Sequence, residues 1–169
     1  MKSWLLLFVC GGVAATLCDA HHVLWGVVWY PGGGQPWWVF LLMGTSSLVL
    51  VGGYKLARLG ETSIAPRDIA GPGAWFLGTY LATGPFAPWP YTLAMALLAT
   101  FLWRVRDEPA RAWFLPLGAM LGGSVVEATI SGAGLFSYLS PVVWKVPAWL
   151  PFLYLHVGLS ARAIARAMP

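Results

Sequence analysis

Apolar residues run along this chain in six stretches, separated by short segments that hold most of its charge. The stretches cover about residues 4–18 with an extension towards 29, then 37–56, 69–83, 89–103, 113–132 and 146–161. A helix needs about 20 apolar residues to cross a hydrocarbon core of about 30 Å. Several stretches are shorter, and flanking Trp and Tyr residues extend them into the interface. The third is the weakest, because Gly71, Pro72, Gly73 and Gly78 lower its helix propensity. The pattern predicts an all-α integral membrane protein, a compact six-transmembrane-helix bundle forming a single domain over residues 1–169.

The breaks support this division. Pro31-Gly32-Gly33-Gly34-Gln35-Pro36 is rich in turn formers, and the uncharged run from Gly84 to Pro90 fits a turn lying along the interface. Residues 104–109, with Arg104, Arg106, Asp107, Glu108 and Pro109, form the clearly wet linker.

Charge sets the expected orientation. Lys2 precedes the first span; Lys55, Arg58 and Arg67 lie between the second and third; Arg104, Arg106 and Arg111 lie between the fourth and fifth; Arg162 and Arg166 close the sixth. With six spans all nine fall on one side, and only Lys145 falls on the other. Short loops rich in Lys and Arg stay in the cytoplasm, so both termini are expected there. Five spans would divide this set, so the bias argues for the weak third span. The net charge of +4 then reflects topology, with no basic stripe for nucleic acid. Attraction to anionic inner-leaflet lipid is a compatible extra effect.

Composition agrees. Charged residues make up 9% and hydrophobic ones 59%, where a soluble domain carries about a quarter charged residues. The N-terminal Lys2 and Trp4–Val9 look like a signal peptide, but no small-residue cleavage site follows, so an uncleaved first helix is expected. Cys10 and Cys18 are too few for a disulfide framework and read as small apolar side chains. Trp4, Trp37, Trp38, Trp89, Trp103, Trp113, Trp144 and Trp149 fall near span ends and predict two interfacial belts. Gly52-Gly53, Gly118, Gly122-Gly123, Gly132 and Gly134 predict close helix packing within the bundle.

Few polar groups lie at membrane depth. Glu127 sits mid-way along the fifth stretch, where a bare carboxylate costs about 2.5 kcal/mol or more. It must face the bundle interior, a wet cavity or a partner. Ser124 at i−3 and Ser131 at i+4 share its face. Ligand contact and a purely structural hydrogen bond are both open for Glu127. Asp19, His21 and His22 form a second polar knot at the outer end of the first span. Adjacent histidines splay apart on a helix and no spacing places a third ligand, so interfacial hydrogen bonding is expected and a metal is not. His156 reads as a core histidine bonded to a neighbouring helix. No nucleophile motif or phosphate-cradling loop is present in the sequence, and Gly32-Gly33-Gly34 lacks the strand and helix context for one.

Two segments carry a resemblance. One is Trp37-Trp38-Val39, Gly44-Thr45-x-Ser47, Tyr54 and Leu59-Gly60-Glu61. The other is Gly134-Leu-Phe-Ser-Tyr138-Leu-Ser140-Pro141, then Val146-Pro-Ala-Trp149-Leu150-Pro151 and the closing helix to Arg166. Both resemble the insulin-induced gene (Insig) family, where the stretches read approximately WWV-x-x-x-x-G-T-x-S and G-V-Y-Q-Y-T-S-P … V-R-S-W-L-P. The resemblance implies six spans with cytoplasmic ends, and a binding protein without catalysis or cofactor. Eukaryotic members sit in the endoplasmic reticulum, bind oxysterols between helices and engage a sterol-sensing escort protein and the sterol-synthesis reductase. Prokaryotic relatives are thought to hold a lipid such as diacylglycerol. Val142 stands where the family has an acidic residue after Ser-Pro, and Pro147-Ala148 replaces the Arg before Trp-Leu-Pro. The sterol-regulatory partners are therefore not carried over, and a bacterial plasma-membrane member is implied. By the same resemblance Glu127, Ser124, Gln35, Trp38 and Thr45 are expected to wall a cavity for a diacylglycerol- or sterol-like lipid. Glu127-Ala128 replaces a Thr-Gln pair of the family there.

Two further readings remain beside lipid binding. One is a structural or interaction subunit packing against another membrane protein or a second copy. The other is a small intramembrane enzyme or transporter using Asp19, His22 and Glu127.

Overall fold

The computed structural model describes residues 1–57 and 61–168, so Arg58, Leu59 and Gly60 of the sequence argument lie outside the described residues. Six α-helices are present among them: α1 (Lys2–Leu24), α2 (Trp38–Ala57), α3 (Ala70–Phe86), α4 (Pro90–Val105), α5 (Phe114–Gly132) and α6 (Leu150–Ala167). Each apolar stretch of the sequence corresponds to one helix. Short 3-10 turns, Pro66–Ile69 and Ala110–Trp113, lead into α3 and α5. Three segments are long and apolar enough to cross a membrane: Lys2–Leu24, Trp38–Ala57 and Ala110–Gly132.

The first helix runs to Leu24, which puts Asp19, His21 and His22 inside its last two turns. The third helix absorbs Gly84, Pro85 and Phe86, and Pro90 opens α4, so the break between them shrinks to residues 87–89. Pro85 within a helix removes the amide that would bond the Leu81 carbonyl. His21 Nε2 donates to that carbonyl at 3.0 Å instead. Gly84 makes the approach possible, because a Cβ there would run into the His21 and Trp25 rings. Three residues thus convert an expected loop into a helix end docked on α1.

Gly32, Gly33 and Gly34 have φ of +92°, +77° and +68°, a left-handed run open to glycine at little cost. It reverses the chain after β1 (Val28–Trp29), which pairs antiparallel with β2 (Ser137–Tyr138) in the register Val28↔Tyr138. This two-stranded ribbon ties the α1–α2 connection to the α5–α6 connection.

The closing helix α6 is the central post. Eleven of its residues are buried, and it packs against α2, α3, α4 and α5. It meets α5 so closely that a Cβ at Gly158 would collide with the Pro116 backbone and one at Gly123 with the Tyr154 ring. Gly118 and Gly122 have open space beside them. Of the small residues expected to pack within the bundle, Gly123 alone is pressed against a neighbour; Gly53, Gly132 and Gly134 also have open space, Gly52 only reaches Trp4 at 4.0 Å, and the pair Gly118 and Gly122 faces outward with Leu117, Leu121 and Val125.

Polarity is arranged for an apolar surround. Asp19, His22, Thr83, His156 and Arg162 are buried, whereas Leu5, Leu6, Leu17, Val49, Met95, Phe114 and Leu121 are largely exposed. Trp4, Trp37, Trp89, Trp103 and Trp144 are exposed, as interfacial belts require. Trp149 departs from that expectation: it is 1% exposed, walled in by His22 and Tyr138.

Candidate functional site

Three small knots of buried polar groups form about Asp19, His22 and Glu127, and Trp149 packs against His22 of the second and Tyr138 of the third. In the first, the Asp19 carboxylate accepts from Tyr30 Oη (2.8 Å) and Gln35 Nε2 (2.6 Å), and Gln35 also donates to the Thr16 carbonyl. In the second, His22 stacks on Tyr80 with ring centroids 4.5 Å apart. Its Nδ1 lies 3.2 Å from the Tyr80 hydroxyl, and its Nε2 meets the Thr83 hydroxyl, which itself donates to the Tyr80 carbonyl. Thr83 has no second proton to give, so His22 Nε2 is the donor of this contact. In the third, Glu127 accepts from Tyr138 Oη (3.0 Å) and Tyr154 Oη (2.8 Å). The carboxylate thus ties α5 to β2 and α6.

The residues expected to wall one cavity do not bond to one another. Gln35 serves Asp19, and Trp38 packs edge-on against Tyr30 at 5.9 Å. The Ser124 hydroxyl is buried without a hydrogen-bond partner, and Thr45 is exposed on α2. Ser131 leaves the Glu127 group and reaches the Lys145 carbonyl at 3.4 Å. Among the described residues no three His, Cys, Asp or Glu side chains gather as metal ligands. His156 bears out its reading as a core histidine. It is fully buried, its Nε2 lies 3.0 Å from the Leu97 carbonyl of α4, and its Nδ1 lies 3.1 Å from Arg104 Nη1.

A cavity does exist, elsewhere in the wall. Although joined by a three-residue turn, α3 and α4 touch sparsely and leave a groove of about 820 Å³ between them. That is within the usual 300–1,000 Å³ range of small-molecule sites. Gly78, Ala82 and Ala96 give it room, Leu93 and Leu97 form its floor, and Trp75 and Trp89 stand at its two ends. Among the described residues its polar side chains besides the indoles are Thr79, Thr92 and Thr100. Two of these turn their hydroxyls back onto their own helices, Thr79 to Trp75 and Phe76, Thr100 to Ala96 and Leu97. The groove surface is therefore more apolar than its sequence. Gly78, one of the residues that weakened the third stretch as a helix, helps to hollow this face.

The end of the bundle that carries the basic residues holds a feature that the sequence argument passed over. Arg162 Nε donates to Glu61 at 2.8 Å and its Nη2 to Glu108 at 2.9 Å. Tyr54 Oη (2.7 Å) and Arg166 Nε (3.6 Å) also meet Glu61. Burial alone would raise the pKa of Glu61, but the hydrogen bonds from Arg162 and Tyr54 and the two guanidinium charges outweigh it. They hold the carboxyl below the ordinary glutamate value. The sequence carries a signal for it: four of the chain's six acids, Glu61, Asp68, Asp107 and Glu108, lie in the two basic connections, and the closing helix ends with Arg162 and Arg166.

Polar side chains inside, large apolar ones outside and membrane-length apolar helices define a polytopic α-helical integral membrane protein. The chain is Insig-like in both sequence and fold. It is 29% identical over 174 residues to an INSIG protein homolog from Mycolicibacterium vanbaalenii, covering 92% of this chain and 81% of that protein. It is 25% identical over 182 residues to the insulin-induced gene 1 protein of the zebrafish Danio rerio, covering 99% and 72%. The crystal structure of the Mycobacterium vanbaalenii Insig homolog MvINS superposes with a TM-score of 0.89 at 22% identity, over 98% of this chain and 93% of that one. A structure of a cross-linked trimer of that homologue gives 0.88. No protein-family model matches the chain.

Proposed function

We propose that this chain is a lipid-binding membrane protein without catalytic turnover, holding one diacylglycerol- or sterol-like lipid between its helices. In this reading the whole chain is one six-span domain of a bacterial plasma membrane, with both termini cytoplasmic. The observation that carries it is the α3–α4 groove: lipid-sized, apolar and set in the wall of the bundle. The charge bias supports the topology. None of Glu127, Ser124, Gln35, Trp38 and Thr45 lines this groove; Glu127 fixes α5 to β2 and α6, and Gln35 fixes the α1–α2 connection to α1.

The test is mass spectrometry of lipids co-purified in mild detergent from wild type, Gly78→Phe and Glu127→Leu. A Cβ at Gly78 meets nothing within 4 Å, so the phenyl ring has the groove to enter. One lipid class should be enriched over bulk membrane in wild type and lost in Gly78→Phe. A bulk-membrane profile in all three would sink the proposal. Glu127→Leu keeping the same lipid at the same occupancy would remove Glu127 from the site.

A second reading rests on the outward face of α5, where Gly118 and Gly122 lie between Leu117, Leu121 and Val125. Small residues four apart let helices approach closely in lipid, and the vanbaalenii homologue was crystallised as a cross-linked trimer. The occupant proposed for this face is a second copy of the chain. Light scattering of Gly118→Leu/Gly122→Leu against wild type tests it, and an unchanged mass would sink it. Asp19, His22 and Glu127 bond to three separate partner sets, which favours neither an enzyme nor a transporter.

A further inference from the structure

The groove ends beside a charge. One helical turn beyond Trp75 and Thr100, the same two helices line a second pocket of about 360 Å³, with Pro72 on α3 and Arg104 on α4. Arg166, Arg162, Glu108 and Asp68 are its charged walls. Both glutamate-side partners are spoken for: Arg162 is spent on Glu61 and Glu108, and Arg166 on Glu61 and the Thr62 carbonyl. Asp68 accepts from the Ala65 amide and lies 3.9 Å from Arg67. Arg104 differs. It is half-buried, and among the described residues no carboxylate pairs with it.

Its position is fixed by two neutral contacts. The guanidinium lies over the Trp75 ring, 5.4 Å from its centroid, and that ring lines the groove. Nη1 donates to His156 Nδ1, which is free to accept because Nε2 gives its proton to the Leu97 carbonyl. A guanidinium presents five donors, and this contact uses one. The remainder sits where an apolar groove meets a polar pocket, at the end of the bundle that carries the basic residues.

We propose that Arg104 marks a subsite for the phosphate of an anionic glycerophospholipid whose acyl chains lie between α3 and α4. The groove runs from Thr100 to Trp89, eleven residues or about 16 Å along α4, which suits an acyl chain lying along the helix. At its mouth a fork of N–H donors on a fixed aromatic platform matches a phosphate better than a hydroxyl. Asp68 and Glu108 line the same pocket and oppose any phosphate there, so binding depends on the acyl chain held in the adjoining groove, which a free phosphate lacks. The inference rests on the groove being a lipid site, keeps the diacylglycerol part of its ligand and adds a phosphate to it, in place of a neutral head group.

The test offers purified protein equal amounts of dioleoylphosphatidylglycerol and dioleoylglycerol and counts adducts by native mass spectrometry. Wild type should favour the phospholipid by about tenfold, the worth of one charge-assisted contact. Arg104→Gln should bring the ratio near one. Arg106→Gln, which removes an exposed arginine paired with Asp107, should leave it unchanged. Equal uptake of both lipids by wild type, abolished in Gly78→Phe, would overturn the phosphate subsite and leave the lipid groove standing. No adduct above bulk in either protein would overturn both. If millimolar inorganic phosphate displaces the phospholipid head group and protects equally from heat, the source is free phosphate and the lipid proposal falls. Should Arg104→Gln fail to fold, wild type decides through competition: dodecyl phosphate must displace bound lipid about tenfold better than dodecanol, and equal displacement overturns the proposal.

Discussion

Glu61 joins three elements of this bundle through one carboxylate, and its removal should be costly. Its side chain is 3% exposed, and one oxygen takes contacts from Tyr54 on α2 and from Arg162 and Arg166 on α6. Arg162 extends the link to Glu108 in the α4–α5 connection. In Glu61→Ala the Tyr54 hydroxyl loses its acceptor and a guanidinium with 8% exposure keeps one carboxylate instead of two. Breaking a buried pair from one side costs about 3–5 kcal/mol. Glu108 remains and is 39% exposed, so part of the charge is still met and the lower end applies. At about 2–4 °C per kcal/mol for a chain of this length, about 3 kcal/mol lowers the unfolding midpoint by about 6–12 °C. Thermal unfolding in detergent, followed by tryptophan fluorescence, reads it directly. Arg162→Met supplies the cycle: its cost should shrink by more than about 1 kcal/mol once Glu61 is gone. A midpoint shift under about 2 °C, or additive single and double variants, would refute the latch.

The same carboxylate sets a pH dependence. Its folded pKa is depressed, so its stabilisation is full above the unfolded value of about 4.3 and is lost as pH falls through the folded value. Wild type should lose stability on acidification below about pH 4.5, and Glu61→Gln should lose less over that window. Gly158→Ala should destabilise by about 1–3 kcal/mol, because its Cβ meets the Pro116 backbone, which cannot rotate away. Gly122→Ala, opening on free space, should be neutral or slightly stabilising in the same unfolding assay. Glu127→Leu strands the Tyr138 and Tyr154 hydroxyls and should cost about 2–4 kcal/mol. Glu127→Gln, which keeps an acceptor, should cost less than half of that, and equal losses would sink the hydrogen-bond account.

By itself the sequence determined the solvent and the number of helices. Hydropathy answers to local composition, and a helix that satisfies its own backbone is the form available to a single apolar segment in lipid. So six stretches became six helices, and charge placed Lys2, Lys55, Arg104 and Arg166 at a common end. Glu127 had to turn inward because no lipid could solvate it, and it did, onto two tyrosines. Which groups met there could not be read, because Tyr138 and Tyr154 are 11 and 27 residues away and arrive from different elements. Pairing across helices depends on their relative rotation and depth, which no single segment encodes. Pro85 shows this most simply. Read locally it belongs to a loop, but His21, 60 residues before Leu81, occupies the Leu81 carbonyl it frees, and the helix runs through Pro85 to end at Phe86. The groove has the same origin. Gly78, Ala82 and Ala96 are small residues like those at Gly123 and Gly158, and only the packing of α6 against α5, and not of α3 against α4, decided which became a contact and which a cavity.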